Sequence, residues 1–231
     1  KMGNLLKLMY EKIPTMDLTT LSIGSPIGGH IHVEINRKQA FRPDAINDPE
    51  KIAELNRIEK LLATFIIPII ASEHRLCSSG RMSIPYQGHT YGQADDIRWE
   101  NRSSTKSTIE IRGISAEWLT TPKIANATIA YAAVIINEIF KRNKELIKEP
   151  FILQTKNHIQ AMQELVLLDY KLAEHTIMKN IKKSVKSFAL YDQFKEEVDY
   201  ILKPKEVFKD KEKHGWNIVN GWQLNKTRKQ P

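Results

Sequence analysis

The alternation of polar and apolar residues predicts two β-strands in the first half of the chain. Residues 30–36 alternate without a break, and they follow a turn-forming segment at 25–29 that contains a proline and two glycines. Residues 108–114 alternate in a similar way. Residues 75–100 are rich in serine, glycine and proline and contain few apolar side chains, so this stretch is expected to be mostly loop.

Apolar residues at helical spacing predict the remaining elements. A helix is expected to begin at Pro49 with Asp48 as its N-cap, because these residue types are favoured at those two positions. The apolar spacing continues over 52–65, and Pro68 is expected to kink or end this helix. Beyond Pro122 the periodicity predicts three more helices, over about 123–148, 156–187 and 190–202.

The order of these elements, with strands early and helices late, predicts an α+β fold. Residues 123–202 are expected to form a helical part packed on the sheet. Residues 203–231 contain 8 basic and 3 acidic residues, and they are expected to form a loosely structured basic tail that docks through Trp216 and Trp222.

Composition excludes several classes of protein. The 231 residues are 41% hydrophobic and 27% charged, which is typical of a folded domain and excludes a disordered or collagen-like chain. The single cysteine, Cys77, excludes a disulfide scaffold and a cysteine-rich zinc site, and it favours a cytoplasmic location. No apolar run approaches the roughly 20 residues that cross a bilayer, so no membrane is expected as a partner.

The net charge of +8 is concentrated in the second half of the chain. Residues 1–122 contain 15 basic and 14 acidic residues, whereas 123–231 contain 20 and 13. Four lysines, at 179, 182, 183 and 186, share one face of a predicted helix whose opposite face is apolar. A solvated lysine face and a polyanion-binding face both fit this pattern. Because no aromatic residues interleave with the lysines, the solvated face is favoured and nucleic acid is not an expected partner.

Two strand segments carry polar residues that suit metal or phosphate chemistry. On the first strand, His30, His32 and Glu34 share one face, and two imidazoles with a carboxylate suit a metal ion or a phosphate. A solvent-facing amphipathic strand fits the same pattern. On the second strand, Glu110 and Arg112 share a face and form either a surface ion pair or a cation ligand beside an anion ligand.

The loop between these strands adds two arginines, Arg81 and Arg98, and an acidic pair, Asp95 and Asp96. Arginines on loops are mostly solvated, and an acidic pair can cap a turn as well as bind a metal. These residues therefore gain a functional interpretation only from their neighbours.

Taken in chain order, these motifs resemble the phage and bacterial amidoligases. These are the COOH–NH2 ligases of type 2 in the glutamine synthetase/carboxylate–amine ligase superfamily. The resemblance covers about residues 24–122 and is most specific over 110–118. The residues that carry it are Gly28, Gly29, His30, His32, Tyr91, Gly92, Arg98, Glu110, Arg112, Ser115 and Trp118.

The resemblance implies a fold, an activity and a set of ligands. The implied fold is a curved antiparallel sheet of glutamine-synthetase-like type flanked by helices, with 1–122 as its C-terminal portion. The implied activity joins a carboxylate and an amine through an acyl phosphate, with ATP and Mg²⁺ or Mn²⁺ as cofactors. His30 and Glu110 are the implied metal ligands, and Glu34, which shares the strand face of His30, is the third predicted ligand. The implied ATP and phosphate contacts are His32, Arg81, Arg98 and Arg112, and Arg98 and Arg112 are also the implied catalytic residues.

The chain departs from the superfamily pattern in one respect. Members carry an earlier strand with several acidic metal ligands, whereas the 27 residues before Gly28 contain only Glu11 and Asp17 as acids. Three explanations are open: an upstream part is missing or is a separate chain, which Lys1 before Met2 favours; other acids substitute; or the fold persists without activity. The last defines the alternative function, an inactive phage structural or interaction protein. Homo-oligomers, an upstream partner chain or virion proteins are the corresponding partners, in the host cytoplasm or the virion.

Overall fold

The structure is a computed structural model, and it describes only part of the 231-residue chain. The described residues are 4, 7–8, 30–35, 49–70, 97–103, 106–111, 116–152, 176–214 and 217–224.

Three strands and six α-helices lie within the described residues. The strands are β1 (Ile31–Ile35), β2 (Ile97–Ser103) and β3 (Lys106–Ile111). The helices are α1 (Pro49–Ile70), α2 (Pro122–Leu146), α3 (Thr176–Val185), α4 (Lys195–Ile201), α5 (Pro204–Lys213) and α6 (Ile218–Gly221). Short 3₁₀ helices at Ala116–Leu119 and Asp192–Phe194 precede α2 and α4.

The three strands form an antiparallel sheet in the order β1-β3-β2. Alternate residues of β3 point to opposite faces. Ile109 and Ile111 are each 1% exposed and belong to the hydrophobic core, and Ile31 of β1 packs against that core. The sheet therefore turns one apolar face towards the helices, while the other face carries Thr108 and Glu110.

Packing between α1 and α2 forms the centre of the core. Leu61, Leu62, Phe65 and Ile66 of α1 are fully buried. The Tyr131 hydroxyl of α2 donates a 2.6 Å hydrogen bond to the Phe65 carbonyl. Helix α1 continues to Ile70, two residues beyond Pro68. Proline has no backbone N–H, so the turn of α1 that contains Pro68 lacks one internal hydrogen bond. The Tyr131 hydroxyl gives the Phe65 carbonyl, next to this turn, a partner outside the helix.

Helix α2 is the central helix of the protein. It begins with Thr121 as N-cap, whose hydroxyl accepts a 3.1 Å hydrogen bond from the Ile124 amide, and with Pro122 in its first turn. By length and composition alone it could cross a membrane, and it is the only helix of the described residues that could. Of its most apolar window, 61% is buried inside the protein, as in the core helix of a folded domain.

The prediction of a curved sheet of glutamine-synthetase-like type is wrong for the residues that the structure describes. These residues are mostly helical, and their sheet has three strands of five to seven residues. The alternation that predicts a strand contains no information on how many strands pair with it. Here the apolar face of this small sheet packs on helices, and most of the core lies between α1, α2 and α4.

Individual elements agree more closely with their predictions. Helix α2 and the 192–201 segment match the helices predicted over 123–148 and 190–202. Of the predicted 156–187 helix, only 176–187 is described, and 176–185 of it is helical; there Ile181 and Val185 are buried opposite exposed lysines. Residues 97–100, which end the stretch predicted to be mostly loop, belong instead to strand β2.

The C-terminal segment is more ordered than a loose tail over the residues that are described. Helices α5 and α6 lie within it, and Val207, Ile218 and Val219 are buried. Trp222 packs against the core, and its indole Nε1 donates a 2.7 Å hydrogen bond to the Leu119 carbonyl. Trp216, the other predicted docking residue, lies outside the described residues.

Candidate metal centre

The two histidines and Glu110 meet because β1 and β3 pair directly. Their antiparallel register sets His32 opposite Glu110. Directly opposite residues of an antiparallel pair have neighbouring side chains, and His30 follows the same face because it is two residues from His32. Apolar residues on either side of Glu110 fix this orientation, since a shift of one residue would expose Ile109 and Ile111.

The contacts in this group are close. His30 Nδ1 lies 2.5 Å from Glu110 Oε1, and His32 Nε2 lies 3.7 Å from the same oxygen. The two imidazole rings are 6.4 Å apart and tilted by 50°. The Glu110 side chain is 3% exposed, whereas those of His30 and His32 are 19% and 31% exposed. The carboxylate of Glu110 is therefore the buried end of the group, and His32 lies at the end that faces solvent.

A buried carboxylate is costly unless it is paired or hydrogen-bonded. The 2.5 Å contact of Glu110 with His30 is a charge-assisted hydrogen bond that supplies such a partner. This bond also fixes which nitrogen of His30 faces the carboxylate, so the opposite ring nitrogen faces away from it.

The three residues could hold a metal ion. One ligand atom from each of His30, His32 and Glu110 lies within 4.8 Å of the other two. Metal–ligand bonds of about 2.1 Å place two ligands of one ion about 3.0–4.2 Å apart. The 3.7 Å separation of His32 Nε2 and Glu110 Oε1 already falls in this interval. The His30 contact is a hydrogen-bond distance, so it would have to lengthen by about 0.5 Å for both groups to bind one ion.

Known proteins give no further guide to this site. No protein-family model matches the chain, and neither curated proteins nor solved structures give a match. The geometry of the residues and the resemblance described above are therefore the grounds for assigning a function.

The third strand brings Arg98 into the same row of the sheet. The register sets Arg98 of β2 opposite Glu110, so His32, Glu110 and Arg98 occupy one line of positions across β1, β3 and β2. The prediction of a loop at Arg98 is wrong, because Arg98 lies in strand β2. It lies next to Glu110 in the sheet because residues 97–103 form strand β2. The polar, turn-rich composition of 75–100 does not indicate this strand.

The neighbouring row of the sheet contains two further acidic positions. Glu34 of β1 and Glu100 of β2 both lie opposite Thr108 in the register. Thr108 is 6% exposed, and its hydroxyl has no hydrogen-bond partner among the residues described. Glu34 is among the predicted metal ligands and Glu100 is not, although the spacing of two residues between Arg98 and Glu100 places both on one face of strand β2.

Several predicted site residues cannot be compared with the structure. Arg81, Arg112, Asp95 and Asp96 lie outside the described residues, as do Gly28, Gly29, Tyr91, Gly92 and Ser115. Their roles stay predictions. Trp118 is described, and it is a buried core residue with 9% exposure, so its place in the motif is explained by packing.

Proposed function

We propose that this chain is an ATP- and metal-dependent carboxylate–amine ligase, or the part of one that carries a metal-binding sheet. The observation that supports it is the cross-strand row of His32, Glu110 and Arg98, together with the contact between His30 and Glu110. This row places Arg98, which is always positively charged, beside residues that can bind a cation. A phosphate group could then be bound by the metal ion and by the arginine together.

The reaction has two steps. In the first, a carboxylate oxygen attacks the γ-phosphorus of ATP and ADP leaves, which gives an acyl phosphate. In the second, an amine attacks the acyl carbon, phosphate leaves with the bonding electrons, and the amine loses a proton to give the amide. No nucleophile from the protein is needed in either step.

The residues of the site have separate tasks in this scheme. A divalent ion at His30, His32 and Glu110 would neutralise phosphate charge when it is bound. Before an ion binds, Glu110 orients His30 through its hydrogen bond, and its burial keeps the anion in a fixed place. Arg98, and Arg112 directly after β3, would hold the oxygens of the transferred phosphoryl group, where a planar guanidinium can make two parallel hydrogen bonds.

The small sheet does not weaken the proposal, because function depends on the site and not on the extent of the surrounding fold. Two paired strands are sufficient to bring both histidines to Glu110. The proposal rests on this pairing and on the amidoligase resemblance of the motifs.

The first prediction tests the activity without knowledge of the natural substrates. Hydroxylamine converts an acyl phosphate to a hydroxamate, which is measured by its coloured ferric complex. The intact chain, supplied with ATP, a divalent ion and a panel of carboxylates, should form ADP and hydroxamate in equal amounts. Glu110→Gln, which keeps the shape of the side chain, should lower this rate at least about 100-fold because it removes the charge that holds the ion.

Glu50→Gln is the matched control. Glu50 lies in the first turn of α1, and its side chain is 80% exposed, so the same substitution there should leave the rate unchanged. Arg98→Lys should also lose most of the rate, because a point charge cannot replace the planar fork. A chain that binds metal but never forms hydroxamate with any carboxylate would instead support the non-catalytic interaction protein.

A further inference from the structure

We infer that the ion bound by His30, His32 and Glu110 is a transition-metal ion of the Zn²⁺ type and not Mg²⁺. The inference rests on the metal site of the proposed function and goes beyond it by assigning the class of ion. It differs from the Mg²⁺ or Mn²⁺ that the family resemblance implies.

The donor atoms carry the first step of the inference. Two of the three available ligands are imidazole nitrogens and one is a carboxylate oxygen. Mg²⁺ is a hard ion that demands nearly ideal octahedral geometry, binds oxygen and usually keeps several waters. Imidazole suits Zn²⁺, Fe²⁺, Ni²⁺ and Cu²⁺, and a set of two histidines and one carboxylate occurs in catalytic zinc sites. The donor set therefore does not fit Mg²⁺.

The geometry carries the second step. The 2.5 Å hydrogen bond between His30 and Glu110 must open before both residues can bind one ion. An ion with a strong preference for imidazole nitrogen offsets the loss of this bond. Mg²⁺ gains little from a nitrogen ligand and would leave the hydrogen bond in place, with only Glu110 as a protein ligand.

The exposure of the group carries the third step. Glu110 is buried, but His32 keeps 31% of its side chain exposed, so the group is accessible from solvent. Three protein ligands leave at least one coordination position open, as in catalytic zinc sites and unlike closed structural ones. Under the proposed function, a phosphate or carboxylate oxygen of a substrate would take that position.

Direct metal binding tests the inference without any measurement of activity. The intact chain, purified without a histidine tag and freed of metal, is titrated with Zn²⁺, Co²⁺ and Mg²⁺ in a calorimeter. Co²⁺ replaces Zn²⁺ in such sites and reports its coordination by visible absorption. We expect one Co²⁺ or Zn²⁺ per chain, bound at least about 100-fold more tightly than Mg²⁺.

Three variants identify the ligands. His30→Gln, His32→Gln and Glu110→Gln should each weaken Co²⁺ binding by at least about 10-fold and change its absorption spectrum. His214→Gln is the matched control, because His214 ends α5 and is not part of the group; its Co²⁺ affinity and spectrum should equal those of the unchanged protein. Circular dichroism establishes that each variant is folded, and His32→Gln is the decisive one because His32 is the most exposed ligand.

Two results would overturn the inference. One is Mg²⁺ binding as tight as that of Co²⁺; the other is a folded His32→Gln protein with unchanged Co²⁺ affinity and spectrum. These results are distinct from failure of the proposed function. Hydroxamate formation with Mg²⁺ alone, without tighter Co²⁺ binding, would keep the ligase and remove the inference. Tight Co²⁺ binding at the three ligands without any ATP turnover would keep the inference and remove the ligase.

Discussion

At the scale of single residues, buried polar groups differ in how well they are satisfied. Glu110 and Glu138 are each 2% exposed, and both are paired. Glu138 accepts hydrogen bonds from Arg142 Nη1 at 2.7 Å and from the Ala189 amide at 3.1 Å, and it thereby ties α2 to the turn after α3. The hydroxyl of Thr128, in the middle of α2, is fully buried and has no hydrogen-bond partner within the described part of the chain.

This difference gives a second prediction. Thr128→Val replaces the buried hydroxyl by a methyl group of similar size, and both residues are β-branched, so helix propensity changes little. The free energy of unfolding should rise by up to about 1 kcal/mol, because an unsatisfied polar group is no longer buried. Urea denaturation followed by circular dichroism measures this change.

The control is the same substitution at a threonine that has a partner. Thr121 caps α2 by accepting a hydrogen bond from the Ile124 amide, so Thr121→Val should lower the free energy of unfolding by about 1 kcal/mol. Equal losses of stability for the two variants would contradict the assignment of Thr128 as unsatisfied.

At the scale of elements, local patterns predict the strands and the faces of their side chains, whereas the pairing of β1 with β3 is implied only by the family resemblance, which groups His30 with Glu110 as metal ligands. The shared face of His30 and His32 follows from the two-residue period of a strand, which any pairing preserves. Their contact with Glu110 requires β1 to pair with β3, which follows it about 70 residues later in the chain. No local pattern of polar and apolar residues contains that information. Strand β2 was missed because its alternating residues stand within a polar, turn-rich stretch, and with it the position of Arg98 opposite Glu110 was missed.

A network of three side chains joins α2, α4 and α5. The Tyr200 hydroxyl donates a 2.6 Å hydrogen bond to Asp210 Oδ2, and Lys123 Nζ donates to the same oxygen at 3.2 Å. Lys123 also lies 4.0 Å from the centre of the Tyr200 ring. Burial by itself would raise the pKa of Asp210, but the hydrogen bonds from Tyr200 and Lys123 outweigh it and lower the pKa below its usual value.

The lowered pKa gives a third prediction, with a defined sign. A carboxyl group with a lower pKa in the folded state stabilises the protein above its unfolded pKa of about 4, and the stabilisation is lost as the pH falls through the folded value. Tyr200→Phe removes the hydrogen bond to the charged carboxylate. Tyr200→Phe should therefore lower the free energy of unfolding by about 1 kcal/mol at pH 7, a modest amount because Asp210 is partly exposed. The loss should become progressively smaller as the pH falls below about 4 and through the folded pKa of Asp210.

Urea denaturation of both proteins at a series of pH values from 7 down to 2 measures this dependence, because the series has to pass through the lowered pKa of Asp210. Asp210→Asn completes a double-mutant cycle, in which the effect of Tyr200→Phe should shrink at pH 7 because the charged acceptor is already absent. A cost of Tyr200→Phe that stays the same from pH 7 down to pH 2 would show that the loss comes from packing and not from the hydrogen bond to Asp210.

At the scale of the whole molecule, one hydrophobic cluster includes residues from strand β3 and from helices α1 to α5. It contains Phe65 of α1, Ile109 of β3, Val198 of α4 and Val207 of α5, and Trp222 packs against it. The C-terminal segment contacts the connection that leads from β3 to α2: Trp222 binds the Leu119 carbonyl there. The sheet that carries the metal-binding residues and the C-terminal helices are thus parts of one core, and we expect them to unfold together.

Gly221 gives the last prediction, because it lies where these parts touch. A Cβ atom built on Gly221 would lie 1.8 Å from the Thr120 carbonyl oxygen and 2.9 Å from its carbon. Thr120 is fully buried and adjoins the cap of α2, so its backbone cannot move away without disturbing that helix. Gly221→Ala should lower the free energy of unfolding by about 3 kcal/mol, whereas Asn220→Ala on the exposed side of α6 should change it by less than about 0.5 kcal/mol.

Because the core is continuous, tryptophan fluorescence and far-ultraviolet circular dichroism of Gly221→Ala should report one shared transition at the lower midpoint. If the fluorescence of Gly221→Ala shifted early while the circular dichroism kept the midpoint of the unchanged protein, the C-terminal segment would be a separate folding unit and the single core would be disproved.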